Sequence, residues 1–323
     1  MKSISVIIVN WNGIQHLEEC LLSLSKQTTK DFEIILVDNG STDGSANFVE
    51  KRFPYVKIVR LAKNEGFCGG NKIGLEHATG EFVALLNNDT KVDPRWLEEL
   101  LQEMQSDPNI GICSSCMVNY FKPEYLDTAG DGYDICGVGF KIGNRMRVSE
   151  FQHKRDTFGA CAGAVMYRRS MIKKIGFFDD DFFAVGEDID LSFRARLSGY
   201  RCVYVPTAIV RHKVNQTVGA GSNFLLYQSR RNIEYTYFKN MPLPLLILTL
   251  PLHLLYNLLT FIQALTERRI GIYLKAKRDF LNNFRDVLKK RNEIQKQREI
   301  SLKSLLDFFS KDYLLKKYIS NTS

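Results

Sequence analysis

The chain has 323 residues, 45% of them apolar and 25% charged, which allows a catalytic-sized core plus an appendage and excludes a disordered polypeptide. The net charge of +8 is local: residues 268–303 carry twelve Lys/Arg against four Asp/Glu, and the remainder balances to zero. That argues against a basic nucleic-acid-binding domain and for a tail that meets an anionic surface.

Seven cysteines, an odd number scattered through strand-like and loop-like segments, point to a reducing compartment. Cys113 and Cys116 have C-x-x-C spacing, but no second pair completes a zinc site, and they read as two buried thiols. Met1-Lys2 runs straight into a strand, unlike a signal peptide.

Ile4–Val9 is a β-branched run ending in the polar turn Asn10-Trp11-Asn12-Gly13, and Leu17, Leu21 and Leu22 follow with helical spacing. Phe32–Val37 is a second strand that ends in Asp38, with Ser41 or Asp43 placed to cap the next helix. Val56–Leu61 is a third, followed by a glycine-rich turn from Asn64 to Asn71. Phe82–Leu86 is almost wholly apolar, the signature of a strand covered on both faces, and it ends in Asn87, Asn88 and Asp89. Four strands alternating with helices predict a parallel sheet with right-handed crossovers. Ligands of such sheets bind outside the carboxyl ends of the strands, where all these polar residues fall. The plainer expectation for Asp89 or Thr90 is a cap on the helix that begins near Pro94.

Beyond Pro108 the pattern loosens. Ile110–Val118 and the glycine-rich 130–143 read as shorter strands. The small residues of Phe158–Tyr167 permit close approach to a ligand or helix. Glu187–Leu197 reads as a helix stopped by Gly199, with Asp190 and Arg194 an i,i+4 pair. Arg201–Val205 and Ile209–Arg211 read as two short strands, and the globular part closes near Asn240. Residues 245–262 then carry no charge, yet Thr249, His253, Asn257, Thr260, Gln263 and Glu267 draw a polar stripe along the apolar helix. With its basic sequel, this segment is expected to lie in a membrane interface on anionic lipid; the alternative is packing on the catalytic domain or on a second copy in a homodimer.

The glycine turn after the third strand offers backbone N–H groups for phosphate. It is not the dinucleotide fingerprint, because the position after the first strand holds NWNG. Asp38 could accept from a nucleobase, Asp89 could hold a cation between phosphates, and Asp188 at a helix start could accept a proton. Alternatively, Glu187, Asp188 and Asp190 merely offset Arg194, Arg196 and the helix dipole.

The ordered set IIVNWNG at 7–13, VDNGSTDGS at 37–45, NEGFCGGNKIG at 64–74, LLNNDT at 85–90, GACAGAVMYRRS at 159–170, GEDIDLSFRARLSGY at 186–200 and VRH at 210–212 resembles glycosyltransferase family 2. The resemblance covers roughly residues 3–235 and is nearest to a bacterial rhamnosyltransferase-like subgroup. It implies an α/β GT-A fold, a Rossmann-like, mostly parallel sheet flanked by helices. The catalytic domain would span 1–240, with an apolar helix and a basic, membrane-associating helical tail at 241–323. It implies an inverting hexosyltransferase that moves a sugar, rhamnose in that subgroup, from a nucleotide-diphosphate sugar. The acceptor would be a glycan or polyprenyl-diphosphate-linked sugar of cell-surface polysaccharide, at the cytoplasmic face of the inner membrane.

Carried over by position, Asn10, Asn12 and Asp38 would meet the nucleobase, and Asn64 and Asn71 the ribose or phosphate. Asn88 and Asp89 fall on the D-x-D-like site, where Asp89 would bind Mg²⁺ or Mn²⁺ and His212 would be a further ligand. Asn87 departs from the pattern, standing where many members have the first Asp. Asp188 would be the catalytic base, with Glu187 and Gly163 near the donor or acceptor sugar. Two other classes compete: a nucleotidyltransferase, which should have a glycine-rich loop with Lys/Arg after the first strand, and a non-catalytic membrane or nucleic-acid adaptor, which would leave the acidic set without a joint purpose.

Overall fold

The computed structural model describes residues 2–214 and 221–313. Its main sheet is built from β1 (Ile4–Asn10), β2 (Phe32–Asp38), β3 (Lys57–Arg60), β4 (Phe82–Leu86), β5 (Thr90–Val92), β6 (Ile110–Asn119) and β7 (Leu126–Thr128). A small second sheet begins with β8 (Asp131–Asp134) and β9 (Gly139–Lys141). The main sheet continues with β10 (Arg155–Asp156), β11 (Ala164–Arg168) and β12 (Arg201–His212), and β13 (Phe309–Ser310) completes the small one. The main order is β10-β12-β6-β11-β4-β1-β2-β3, with β5 on β12 and β7 on β6. β3, β2, β1 and β4 are mutually parallel, as the alternating pattern requires, and β11 inserts antiparallel between β4 and β6.

Helices cover both faces, which is why the first strands read as continuous apolar runs. On one face lie α1 (Ile14–Ser25), α2 (Ser45–Arg52) and, after α3 (Gly66–Glu76), α4 (Trp96–Ser106); Val6 and Ile8 pack there against Leu17, Leu21 and Trp96. On the other lie α3, α5 (Arg169–Ile175), α6 (Glu187–Leu197) and α7 (Asn223–Asn240), where Ile7 and Val83 join Cys68, Met171, Leu191 and Tyr235. The odd–even split of β1 between two cores is the two-residue period of a strand expressed in packing. Cys113 and Cys116 are both buried thiols within β6.

Two segments differ from expectation. Arg201–Val205 and Ile209–Arg211 are one strand, whose register on β6 shifts between Val205 and Ile209. Pro206 lies in that gap, and without an N–H it cannot continue the ladder. Of Phe158–Tyr167, only the part from Ala164 is strand; Gly159 instead bridges Asp131 and faces α6, where a Cβ would meet the Ser192 side chain at 2.5 Å. Gly159 thus serves close approach to a helix, while Cys161, Ala162 and Gly163 line a cavity.

Past Asn240 the chain folds back. α8 (Leu243–Thr266), α9 (Ile270–Asn282), α10 (Phe284–Lys296) and α11 (Leu302–Leu306) follow. Phe280 of α9 and Val287 of α10 enter the same core as Tyr235. Lys277 reaches Glu234 at 2.5 Å, and Lys290 reaches Asp181 at 2.7 Å. Part of the basic tail is thus spent on internal pairs; residues 314–323 of the expected tail lie outside the described residues.

Candidate active site

The carboxyl ends of β1, β2, β4 and β12 bring Asn10, Asp38, Asn88, Asp89 and His212 to one edge of the sheet. Asn10 and Asp38 are register partners across β1 and β2. Asn10 Oδ1 accepts from Asn88 Nδ2 at 2.7 Å, tying β1 to the turn after β4. Asp38 is buried, and its Oδ1 has no hydrogen-bond partner, an acceptor that a ligand N–H would satisfy.

A crevice of about 760 Å³ opens beside the ends of β1, β2 and β4, lined by Trp11, Asn39, Asn64, Asn88, Gly163 and Asp188 among others; Asn10, Asp38, Asp89 and His212 lie behind this wall and do not line it. Asn39 had no role in the sequence reading, yet it organises the glycine turn. Its Nδ2 donates to Asn64 Oδ1 and Gly66 O at 3.0 Å, and its Oδ1 accepts from Glu65 N–H at 2.9 Å. Gly66 has φ +77° and a Cβ there would lie 2.5 Å from Phe183 O, so only glycine lets α3 begin this close to the crevice wall.

Not every expected residue joins. Asn71 is buried within α3, donates to Phe67 O at 2.9 Å and does not line the crevice. Asn12, at φ +50°, spends its Oδ1 on Thr42 N–H at 2.8 Å and acts as a turn residue. Trp11, half-exposed on the crevice rim, presents the ring that a nucleobase could stack on.

Asp89 does not cap α4: β5 intervenes, and Asp93 accepts from Arg95 N–H at the helix start. Asp89 is buried, with its Oδ1 3.3 Å from His212 Nε2 but without an aligned hydrogen bond. Burial opposes its ionisation, but His212 outweighs that and holds the carboxyl below its usual range. For His212 burial acts downward, while Asp127 and Asp89 lift its pKa to about 9. An orphaned carboxylate oxygen facing an imidazole nitrogen at this separation fits two adjacent corners of an octahedral cation, about 3 Å apart for bonds of about 2.1 Å. Among the described residues no group of three His, Cys, Asp or Glu could hold a metal ion, so the remaining corners would fall to water and a diphosphate.

Asp188 sits in the first turn of α6. Its Oδ2 accepts from Ala162 N–H at 3.1 Å and its Oδ1 from Ile189 N–H at 2.8 Å. A second cavity of about 310 Å³, lined by Asp131, Tyr133, Phe140, Lys141 and Asn232 among others, meets the first at Cys161, Val185, Glu187 and Asp188. The turn leading into α6 is strained: Val185 has φ +75°, and Asn232 Nδ2 holds the Ala184 and Val185 carbonyls at 2.9 and 2.7 Å.

Charge neutralisation explains Asp190 but not Glu187 or Asp188. Arg194 pairs with Asp190 at 2.9 Å and caps α5 through Ile175 O, while Arg196 donates to Phe158 O at 3.2 Å. Among the described residues no salt bridge reaches Glu187 or Asp188. Burial and then Asp188 push the Glu187 carboxyl well up, and one of its oxygens lacks a partner. Burial likewise lifts the Asp188 carboxyl above its usual range, with the Ala162 and Ile189 amides taking back part of the rise.

A profile described as "Glycosyl transferase family 2" matches residues 5–176. The N-acetylglucosaminyl-diphospho-decaprenol L-rhamnosyltransferase of Mycobacterium tuberculosis is 26% identical over 245 residues, 66% of this chain and 76% of that protein. In fold, GalNAc-T7 solved with UDP, GalNAc and Mn²⁺ matches with a TM-score of 0.59 at 18% identity, over 74% of this chain and 50% of that one. A mannosyltransferase from Pyrobaculum calidifontis, solved with GDP-Man and Mn²⁺, matches with a TM-score of 0.56 at 17% identity, over 87% of each chain.

Proposed function

Because this chain belongs to glycosyl transferase family 2, and so transfers a hexosyl group from a nucleotide sugar, we propose that it is an inverting enzyme whose donor lies in the larger crevice and whose acceptor enters the smaller one. The observation that carries this reading is the position of Asp188 on the wall common to both cavities. A donor held by Trp11, Asn39, Asn64 and Asn88, its base reaching past Asn39 to the unpartnered Asp38 oxygen, has its anomeric carbon near Gly163 and its diphosphate toward Asp89. Asp188 takes the proton of an acceptor hydroxyl as that oxygen attacks the anomeric carbon from the opposite side. The bond from that carbon to the diphosphate oxygen breaks, the nucleoside diphosphate leaves with the electron pair, and the configuration inverts. Asp89 and His212 would hold a divalent cation, Mg²⁺ or Mn²⁺, which when bound neutralises charge gathering on the leaving diphosphate.

The Mycobacterium tuberculosis relative's name supports rhamnose as the sugar and a polyprenyl-diphosphate-linked sugar as the acceptor, and we assign the product to surface polysaccharide. Tyr133 and Phe140 beside Asp131 and Asn232 give the smaller cavity the mix of ring faces and polar groups that suits a sugar. The α8 helix supports work at a membrane surface. Its stripe faces inward: Thr249 meets Tyr237 Oη at 2.9 Å, and His253 meets Glu234 at 3.0 Å. Its outer face is apolar, with Ile247, Leu248, Leu254, Leu258 and Ile262 exposed. A helix packed lengthwise on the domain from Leu245 to Ala264 lies on a bilayer rather than crossing it. Leu274, Leu281 and Leu288, exposed among Lys275, Arg278 and Arg285, extend that contact to anionic lipid at the cytoplasmic face of the inner membrane.

A thermal-shift screen of nucleotide sugars with and without Mn²⁺, followed by transfer onto a polyprenyl-diphosphate sugar, tests the reading. A Mn²⁺-dependent shift with one donor class and release of its nucleoside diphosphate are expected. Diphosphate release from a nucleoside triphosphate and a sugar phosphate would instead identify a nucleotidyltransferase.

A further inference from the structure

Asp127 had no part in the sequence reading, yet it is the group that decides how His212 meets the cation site. It sits in β7, which pairs antiparallel with β6, while β12 runs along the other edge of β6 with His212 opposite Asn119. This places the Asp127 carboxylate beside the imidazole: Asp127 Oδ2 lies 2.8 Å from His212 Nδ1, and the Asp127 side chain is only 2% exposed. The other oxygen, Oδ1, accepts from Lys141 Nζ at 2.6 Å, and Asn144 Nδ2 donates to the Asp127 carbonyl at 2.8 Å. The carboxylate therefore has both oxygens engaged and little freedom to turn.

We propose that Asp127 is a positioning residue that holds the proton of His212 on Nδ1 and so presents Nε2 as the atom that binds the divalent cation next to Asp89. An ionised carboxylate only accepts, so the nitrogen facing it must carry hydrogen. In the neutral ring the remaining nitrogen then keeps its lone pair, and that nitrogen is the one 3.3 Å from Asp89 Oδ1. Loss of such an outer partner typically weakens cation binding by about 10–100-fold. Lys141 completes the device by anchoring the carboxylate's second oxygen, and it does so from the wall of the smaller cavity. The proposal rests on the reading of Asp89 and His212 as cation ligands.

The test uses Asp127→Asn, in which the amide can turn its NH₂ toward Nδ1 and force hydrogen onto Nε2. Mn²⁺ affinity is measured by the paramagnetic resonance signal of the free ion, with UDP and with dTDP present, and ring protonation by ¹⁵N–¹H correlation of His212. A folded variant should bind Mn²⁺ about 10–100-fold more weakly and show Nδ1 without its proton. Wild-type affinity in folded Asp127→Asn overturns the proposal. Should that variant fail to fold, the Mg²⁺-loaded wild type decides: protonated Nδ1 with bare Nε2 is expected, and the reverse tautomer overturns it. A wild-type chain that binds no Mn²⁺ with either nucleotide refutes the cation site itself, an outcome seen without any variant.

Discussion

The Ala162 amide donates to Asp188 Oδ2 at 3.1 Å, fastening the first turn of α6 to the loop that enters β11. The carboxylate that faces both cavities is thereby aimed by backbone alone, with no salt bridge among the described residues to compete for its charge. Asp188→Asn keeps size and position but cannot take a proton. Turnover should fall about 10²–10⁴-fold while the dissociation constant of the donor changes little. Wild-type turnover in this variant would transfer the role to Glu187.

Asp89 presents a buried oxygen with no hydrogen bond beside His212, so removing it would take a ligand from the cation site. Asp89→Ala should lose nearly all transfer activity together with metal-dependent nucleotide binding, read by calorimetry. Full activity in excess EDTA would eliminate a role for the cation.

The outer face of α8 makes a prediction about location. Leu248 is 67% and Leu254 58% exposed, so charged replacements there leave the core untouched. Leu248→Glu with Leu254→Glu should release the chain from vesicles containing phosphatidylglycerol, with the melting temperature and donor binding preserved. Salt should release the wild type only in part, because the leucines are unaffected by screening. Sedimentation with the vesicles that is equal for variant and wild type would make this face a protein contact.

Acid should loosen the junction of α7 with α8 and α9. Burial pushes the Glu234 carboxyl up, but Lys277 and His253 outweigh it and bring its pKa to about 2. A depressed carboxyl stabilises the fold above its unfolded value of about 4.3, and that stability drains away as pH falls toward 2. Glu234→Gln should flatten the stability profile relative to wild type between about pH 4.5 and 2, and cost at most about 3 kcal/mol at neutral pH. Parallel urea titrations of both proteins across that range would expose any other slope.

Much of the fold was legible because both faces of β1, β2 and β4 are covered, and that burial writes itself as short apolar runs of fixed length. The polar residue at the close of such a run marks the carboxyl edge of the sheet, which is how Asp38, Asn88 and Asp89 stood out. Asn71 shows the limit. Its place in a glycine-rich turn suggested phosphate, but the same spacing puts it inside α3 with its amide bonded to Phe67. Asp127 was hidden for the opposite reason. It reaches His212 across two strand pairings, 85 positions away in sequence, and a three-residue strand has too few side chains to show an alternating pattern. The stripe on α8 was visible, but only packing against Tyr237 and Glu234 reveals that it faces the protein.

If Asp188 drives attack from the face opposite the leaving diphosphate, the product reports it directly in its anomeric configuration. The proton–carbon coupling at the anomeric carbon of the transferred sugar, compared with that of the nucleotide-sugar donor, measures it. The product should carry the opposite configuration; retention of the donor's configuration would rule out attack from that face.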